Sequence, residues 1–197
     1  DEACMGCGWN ARDDRTISTV HGVEILNGDD SAGPGMGWPF WAAMLNRGHR
    51  LTAIGGSDEH TPDEMVDRAA GRPTTVVFAR DLSERAILDG LRAGRVYIRT
   101  RGPDGPALDF QAERDGQIVH MGGSVRAGAL TLRARLDRAT GDDLVWIRNG
   151  SVLETVPVPP AGAVEIAVAA RAGDWFALVV RAGQRPTLFS NAIYIKP

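Results

Sequence analysis

The chemistry this chain offers most directly sits in six consecutive residues, Gly55-Gly56-Ser57-Asp58-Glu59-His60. They follow a short apolar run, Leu51-Thr52-Ala53-Ile54, that reads as a strand. Two glycines then free the backbone, and Asp-x-His follows. On an extended backbone Asp58 and His60 point to one side and Glu59 to the other. A carboxylate and an imidazole converging on one point suit zinc, manganese or iron. The C-terminal end of a strand is where α/β architectures build such sites. The competing reading is structural: Asp58 N-caps a segment in which Thr61-Pro62-Asp63-Glu64 begins a helix. Ser57 has no evident histidine base, so a serine nucleophile is not expected.

Cys4-Met5-Gly6-Cys7 is a second spacing with chemical meaning. A single C-x-x-C forms a strained short-loop disulfide, stays as two free thiols, or supplies half of a metal site completed by a partner or by Asp1 or Glu2. The chain has only 2 cysteines, so a four-cysteine zinc site within one chain is excluded. Gly33-x-Gly35-x-Gly37 lacks the spacing of a dinucleotide-binding loop, and no Gly-x-Ser-x-Gly elbow is present. Trp38 and Trp41 flank Pro39 and Phe40, as wall of a pocket or as core.

The elements that must position these groups are legible in outline. Gly22-Val23-Glu24-Ile25-Leu26-Asn27-Gly28 is predicted as a strand closed by a turn. After a glycine-rich loop, Pro39 opens a helix whose apolar face is Phe40, Trp41, Met44 and Leu45, and Gly48 stops it. Residues 74–79 form a third strand. Asp81 caps a helix with Glu84 three residues on, and Ile87, Leu88 and Leu91 are its buried stripe. Residues 95–99 form a fourth strand. This alternation of strand and helix is α/β punctuation. Beyond about residue 102 the period becomes two: Leu108, Phe110, Ala112, then Leu130, Leu132, Ala134, Leu136. Asn149-Gly150 between two apolar runs marks a hairpin. Six or seven short strands predict an antiparallel β-sandwich. The expected division is an α/β part over 1–101 and an all-β sandwich over 102–197, joined at Gly102-Pro103-Asp104-Gly105-Pro106.

A length of 197 residues with 43% hydrophobic content suffices for one large domain or two small ones. The net charge of −3 argues against a general attraction to nucleic acid or to an anionic membrane, and no apolar run is long enough to span a bilayer. Neither a nucleic-acid nor a membrane partner is expected.

Gly-Ser-Asp-x-His after a short strand resembles the last metal-binding motif of the PHP (polymerase and histidinol phosphatase) superfamily. The strand with Glu24 and Asn27-Gly28 resembles the one preceding that motif. Phe40-Trp41-Ala42-Ala43-Met44-Leu45-Asn46-Arg47-Gly48 resembles the helix between them. Arg72-Pro73-Thr74-Thr75-Val76 and residues 88–97 resemble the end of the barrel in the branch that includes carbaryl-type carbamate hydrolases. That branch also carries a β-rich extension. The resemblance implies the C-terminal portion of a distorted (β/α)7 barrel, with Asp58 and His60 as ligands of a divalent zinc, manganese or iron cluster. It implies hydrolysis of small-molecule phosphoesters or carbamates by a metal-activated water. Glu24, Asn27 and Ser57 are candidates for groups that brace the metal ligands, a structural place at the strand end being the alternative for the first two.

The chain also departs from that pattern. The family's opening His-x-His motif and its middle His and Glu ligands are not found. His21, His49 and His120 read as surface or capping histidines. The expectation is therefore a chain lacking the N-terminal half of the barrel and inactive, or nearly so, by itself, in which a homo-oligomer covers the truncated edge. The alternative is a non-catalytic binding or oligomerisation module built on the sandwich. The scarce, paired cysteines fit an exported or periplasmic setting, with a cytoplasmic one left open.

Overall fold

The computed structural model describes residues 14–28, 37–59 and 71–197. Cys4, Cys7 and His60 lie outside the described residues. The first part holds a one-turn helix α1 (Asp14–Ile17), strand β1 (Gly22–Asn27), helix α2 (Trp38–Asn46), strands β2 (Thr52–Gly56) and β3 (Thr74–Val77), helix α3 (Glu84–Arg92) and strand β4 (Val96–Arg99). Ten further strands follow: β5 (Ala107–Arg114), β6 (Gln117–His120), β7 (Ser124–Arg126), β8 (Gly128–Asp137), β9 (Asp143–Arg148), β10 (Ser151–Pro157), β11 (Ala163–Ala170), β12 (Trp175–Ala182), β13 (Arg185–Ser190) and β14 (Ile193–Lys196).

The strands form three layers. A four-stranded antiparallel sheet in the order β11-β8-β5-β6 packs on an eight-stranded sheet whose main path is β10-β9-β12-β13-β4-β3. The other face of the eight-stranded sheet carries α2 and the parallel pair β1-β2. Alternation in the sequence decides which face each side chain takes. In β12, Phe176, Leu178 and Val180 enter the core against the four-stranded sheet, while Trp175, Ala177 and Val179 enter the core against α2 and β1. β9 divides in the same way, with Leu144 and Trp146 on one side and Val145 and Ile147 on the other. A two-layer sandwich would leave half of these side chains in water. The unbroken apolar runs of β9 and β12 instead correspond to strands covered on both faces. The strands of the four-stranded sheet are amphipathic, burying Leu108, Phe110 and Ala112 of β5 and exposing Arg133 and Arg135 of β8 to solvent.

The Asn149-Gly150 hairpin forms as expected, pairing Arg148 with Ser151, with both turn residues at positive φ (54° and 86°). Helix α2 begins with Pro39 in its first turn, buries Trp41, Met44 and Leu45, and ends where Gly48 takes φ 89°. Other expectations are corrected. The N-cap of α3 is Ser83, whose hydroxyl accepts from the Ala86 N–H at 3.2 Å; Asp81 instead accepts from the Ser83 N–H. The buried face of α3 is Ala86 and Gly90, not Ile87, Leu88 and Leu91. Gly90 lets the helix lie close on β3, since a Cβ there would stand 2.6 Å from Val77 Cγ1.

The α/β expectation also holds only in part. β1 and β2 are parallel, but β3 and β4 are antiparallel neighbours, with Val77 opposite Val96. Helix α3 leaves the sheet and returns to the adjacent position, so it is no crossover between parallel strands. β4 continues the sheet onto β13, pairing Ile98 with Phe189. One sheet thus draws strands from both sides of residues 102–106, where the Gly105 N–H donates to the Gly102 carbonyl at 3.1 Å. No helix among the described residues is long and apolar enough to cross a membrane.

Candidate functional site at the ends of the parallel strands

β1 and β2 run side by side and end together. Gly22 pairs with Thr52 at one end and Asn27 with Gly56 at the other, and the Gly28 N–H donates to the Gly56 carbonyl at 2.8 Å. The register therefore places Glu24 and Asn27 of β1 beside the residues that lead to Asp58. Glu24 and Asn27 are joined directly: the Asn27 amide Nδ2 donates to Glu24 Oε2 at 3.3 Å. This bond favours the position in which the exposed carboxylate lies over the strand ends.

The two glycines that close β2 have a role the sequence did not disclose. Neither Gly55 nor Gly56 adopts positive φ, so backbone freedom is not what they provide. They provide room. A Cβ on Gly55 would stand 2.9 Å from both Ile98 Cγ2 and Pro73 Cγ. A Cβ on Gly56 would collide with Glu24 Oε1, because the Glu24 carboxylate lies directly over that residue. The first glycine lets β2 approach β4, and the second receives a carboxylate.

Ser57 is half-buried and Asp58 exposed. Asp58 has φ 50°, a left-handed conformation that Asp adopts more readily than most residues. The extended strand ends at Gly56, so strand alternation does not reach Asp58 and gives no ground for placing its side chain on one side with His60. Their relation is left to the turn, and His60 lies outside the described residues. Among those residues, no group of three or more His, Cys, Asp or Glu side chains is placed to hold a metal.

Two residues that sequence reasoning missed position this strand end. The buried Asn191 side chain takes the place of a missing ladder between β2 and β4. Its Oδ1 accepts from the Ala53 N–H at 2.7 Å, and its Nδ2 donates to the carbonyls of Ala53 at 2.9 Å and Val96 at 2.8 Å. The Thr75 hydroxyl accepts from the Gly55 N–H at 2.9 Å and donates to the Gly55 carbonyl at 2.8 Å. No pattern marks Asn191 in the sequence: it follows β13 as any turn asparagine would. Only its 2% exposure and its partners across 138 residues reveal the function.

The other histidines lie apart from this site. His49 Nε2 meets Asp14 Oδ1 at 2.9 Å, and Arg47 joins the same carboxylate. The His49 hydrogen bond, with Arg47 beside it, holds the Asp14 carboxyl below its ordinary value. His120 Nδ1 lies 3.3 Å from Asp109 Oδ1 on the four-stranded sheet. His21 lines a cavity of about 270 Å³ with Ile54, Leu88 and Leu91, beside the opposite end of β1. A larger, shallow concavity of about 550 Å³ lies on the solvent face of the four-stranded sheet, among Asp109, Gln111, Arg133 and Glu165. It is far from the strand ends in the fold and is lined by ion pairs, Arg133 meeting both Glu113 and Glu165.

Compared with known proteins, the chain matches no family model, no curated protein and no solved structure.

Proposed function

We propose that the ends of β1 and β2 form part of a divalent-metal site of a hydrolase, and that the chain is the C-terminal portion of such an enzyme, of the PHP type. The observation that carries this reading is the Glu24 carboxylate laid over Gly56, tied by Asn27, at the strand ends from which Asp58 emerges. Carboxylate oxygens fit zinc, manganese or iron, and His60, two residues beyond Asp58, adds an imidazole donor. Asp58 and His60 are the proposed ligands. A metal held there would lower the pKa of a bound water and polarise a phosphoester or carbamate. The chain's own part is to brace that donor set. Asn27 orients Glu24, Gly56 leaves the space it fills, and Asn191 and Thr75 fix the strand that delivers Asp58. A barrel would continue the parallel pair beyond β1, with a second copy of the chain covering that edge in its absence.

Two measurements test this. Manganese added to the isotopically labelled chain is expected to broaden the backbone resonances of Glu24, Asn27, Ser57 and Asp58 first. Broadening centred on other carboxylates, with the strand ends untouched, overturns the site. In excess manganese, hydrolysis of bis(4-nitrophenyl) phosphate is expected to be slow and to disappear in Asp58→Ala. Hydrolysis indifferent to that substitution overturns the assignment of activity to these residues.

A further inference from the structure

Four strands end the two large sheets along their main paths, and three of them are protected against further pairing. β3 and β6 span only 4 residues each. β10 carries a bulge between Val152 and Glu154 and ends in Pro157. β11 has none of these devices. Its 8 residues, Ala163–Ala170, pair with β8 in unbroken register and include no proline, glycine or lysine.

The ladder fixes which backbone groups stay open. The Leu136 N–H donates to the Gly162 carbonyl at 2.8 Å, and hydrogen-bonded pairs of an antiparallel ladder recur at every second residue. Val164, Ile166 and Val168 therefore exchange their bonds with β8. The N–H and C=O groups of Ala163, Glu165, Ala167 and Ala169 point away from β8, and none has a backbone partner among the described residues. The side chains mark the same open margin. Val164, Ile166 and Val168 pack on the core between the sheets but are only half-buried. Ala163, Glu165, Ala167 and Ala169 alternate with them on the solvent face, and the one charge, on Glu165, is drawn over β8 by Arg133 at 3.2 Å.

We propose that β11 pairs with β11 of a second copy of this chain, antiparallel about a two-fold axis at Ala167. That register opposes Ala167 to the partner's Ala167 and Glu165 to the partner's Ala169, so three of the four open residues on each strand gain hydrogen bonds. On the core side it sets Ile166 against the partner's Val168, continuing one apolar row into the other. On the solvent face it separates the two Glu165 carboxylates. It also places the partner's Arg171 diagonally from Glu165, within the reach of a long side chain. Arg171 enters no ion pair among the described residues, so the charges of the two copies complement each other. The two four-stranded sheets become one of eight strands, and the two-fold axis uses up both edges, so assembly closes at a dimer. This interface is separate from the β1 edge and independent of the metal site.

Amide exchange at two chain concentrations tests the proposal. At about 100 µM the amides of Glu165, Ala167 and Ala169 are expected to exchange about tenfold more slowly than at about 1 µM, where the dimer dissociates. The amides of Val164, Ile166 and Val168, bonded to β8, are expected to be protected at both concentrations. Sedimentation equilibrium is expected to give twice the chain mass at the higher one. Ala167→Pro removes only an outward N–H, which an edge strand tolerates, and is expected to give a folded monomer. A monomer at the higher concentration overturns the proposal. So does a dimer that leaves the Glu165, Ala167 and Ala169 amides fast, as one joined at β1 would, or a dimer that survives Ala167→Pro.

Discussion

Strands β12 and β2 both contribute to the same core, yet different means hold them in place. β12 is gripped by side chains on both faces, from Phe176 in one core to Trp175 in the other, and is hydrogen-bonded to β9 on one edge and to β14 and then β13 on the other. β2 has a full ladder on one side only, with β1, and depends on the other side on two polar side chains, Asn191 and Thr75. Burying area is non-directional and tolerant, so the sandwich is secured many times over. Hydrogen bonds from single residues are directional, so the strand end that presents Glu24 and Asp58 rests on few atoms. The difference teaches where substitution is felt as lost stability and where as lost placement.

The largest effects belong to β12. Phe176→Ala and Trp175→Ala are each expected to cost about 4 kcal/mol, read as a fall in the urea midpoint. Trp175 also donates from its indole nitrogen to Asn46 Oδ1 at 2.8 Å, so its loss should additionally loosen α2. Two residues adjacent in sequence would then unsettle opposite layers. A variant that disturbs only one face, by amide exchange, sharpens the three-layer description; identical exchange patterns would break it.

Asn191→Leu comes next, at about 3 kcal/mol, because the Ala53 and Val96 backbone groups lose their partner in a dry environment. The distinguishing result is the amide of Ala53 exchanging far faster than those of β12. The glycines separate finer still. Gly55→Ala meets Ile98 and Pro73, which are packed, and is expected to cost about 2 kcal/mol. Gly56→Ala meets the movable end of Glu24 and is expected to cost under about 1 kcal/mol, while displacing the carboxylate of the proposed site.

Asp174 supplies the most pH-specific effect. Burial pushes its carboxyl up, but hydrogen bonds from the Arg171 N–H, Asn149 and Arg148, with the charge of Arg148, outweigh this and leave it below the usual 3.8. A lowered folded pKa contributes stability that is present above the unfolded value and lost as pH falls through the folded one. The urea midpoint of the unmodified chain should therefore fall more steeply below pH 4 than that of Asp174→Asn, by about 1 kcal/mol in total. Parallel pH profiles would contradict this.

Much of the sandwich was legible because alternation at period two is a strong signal: β5, β8 and the Asn149-Gly150 hairpin follow from it. The third layer was legible in principle, since the solid apolar runs of β9 and β12 demand cover on both faces, but a run alone does not say what covers it. The antiparallel placing of β3 and β4 was not legible, because a strand, a helix and a strand have the same local signals whether the helix crosses over or merely returns. At the site, the short strands around Glu24 and Asp58 were found from apolar runs ended by glycine. Their register, the closeness of Glu24 to Gly56 and the part played by Asn191 depend on contacts distant in sequence, which no local pattern encodes.

The central claim is that the ends of β1 and β2 gather metal ligands. Equilibrium dialysis of the purified chain against zinc or manganese, followed by elemental analysis beside an Asp58→Ala/His60→Ala variant, tests it most directly. Saturable binding that disappears in the double variant is the predicted result. The same metal content in both proteins, or none in either, would contradict it.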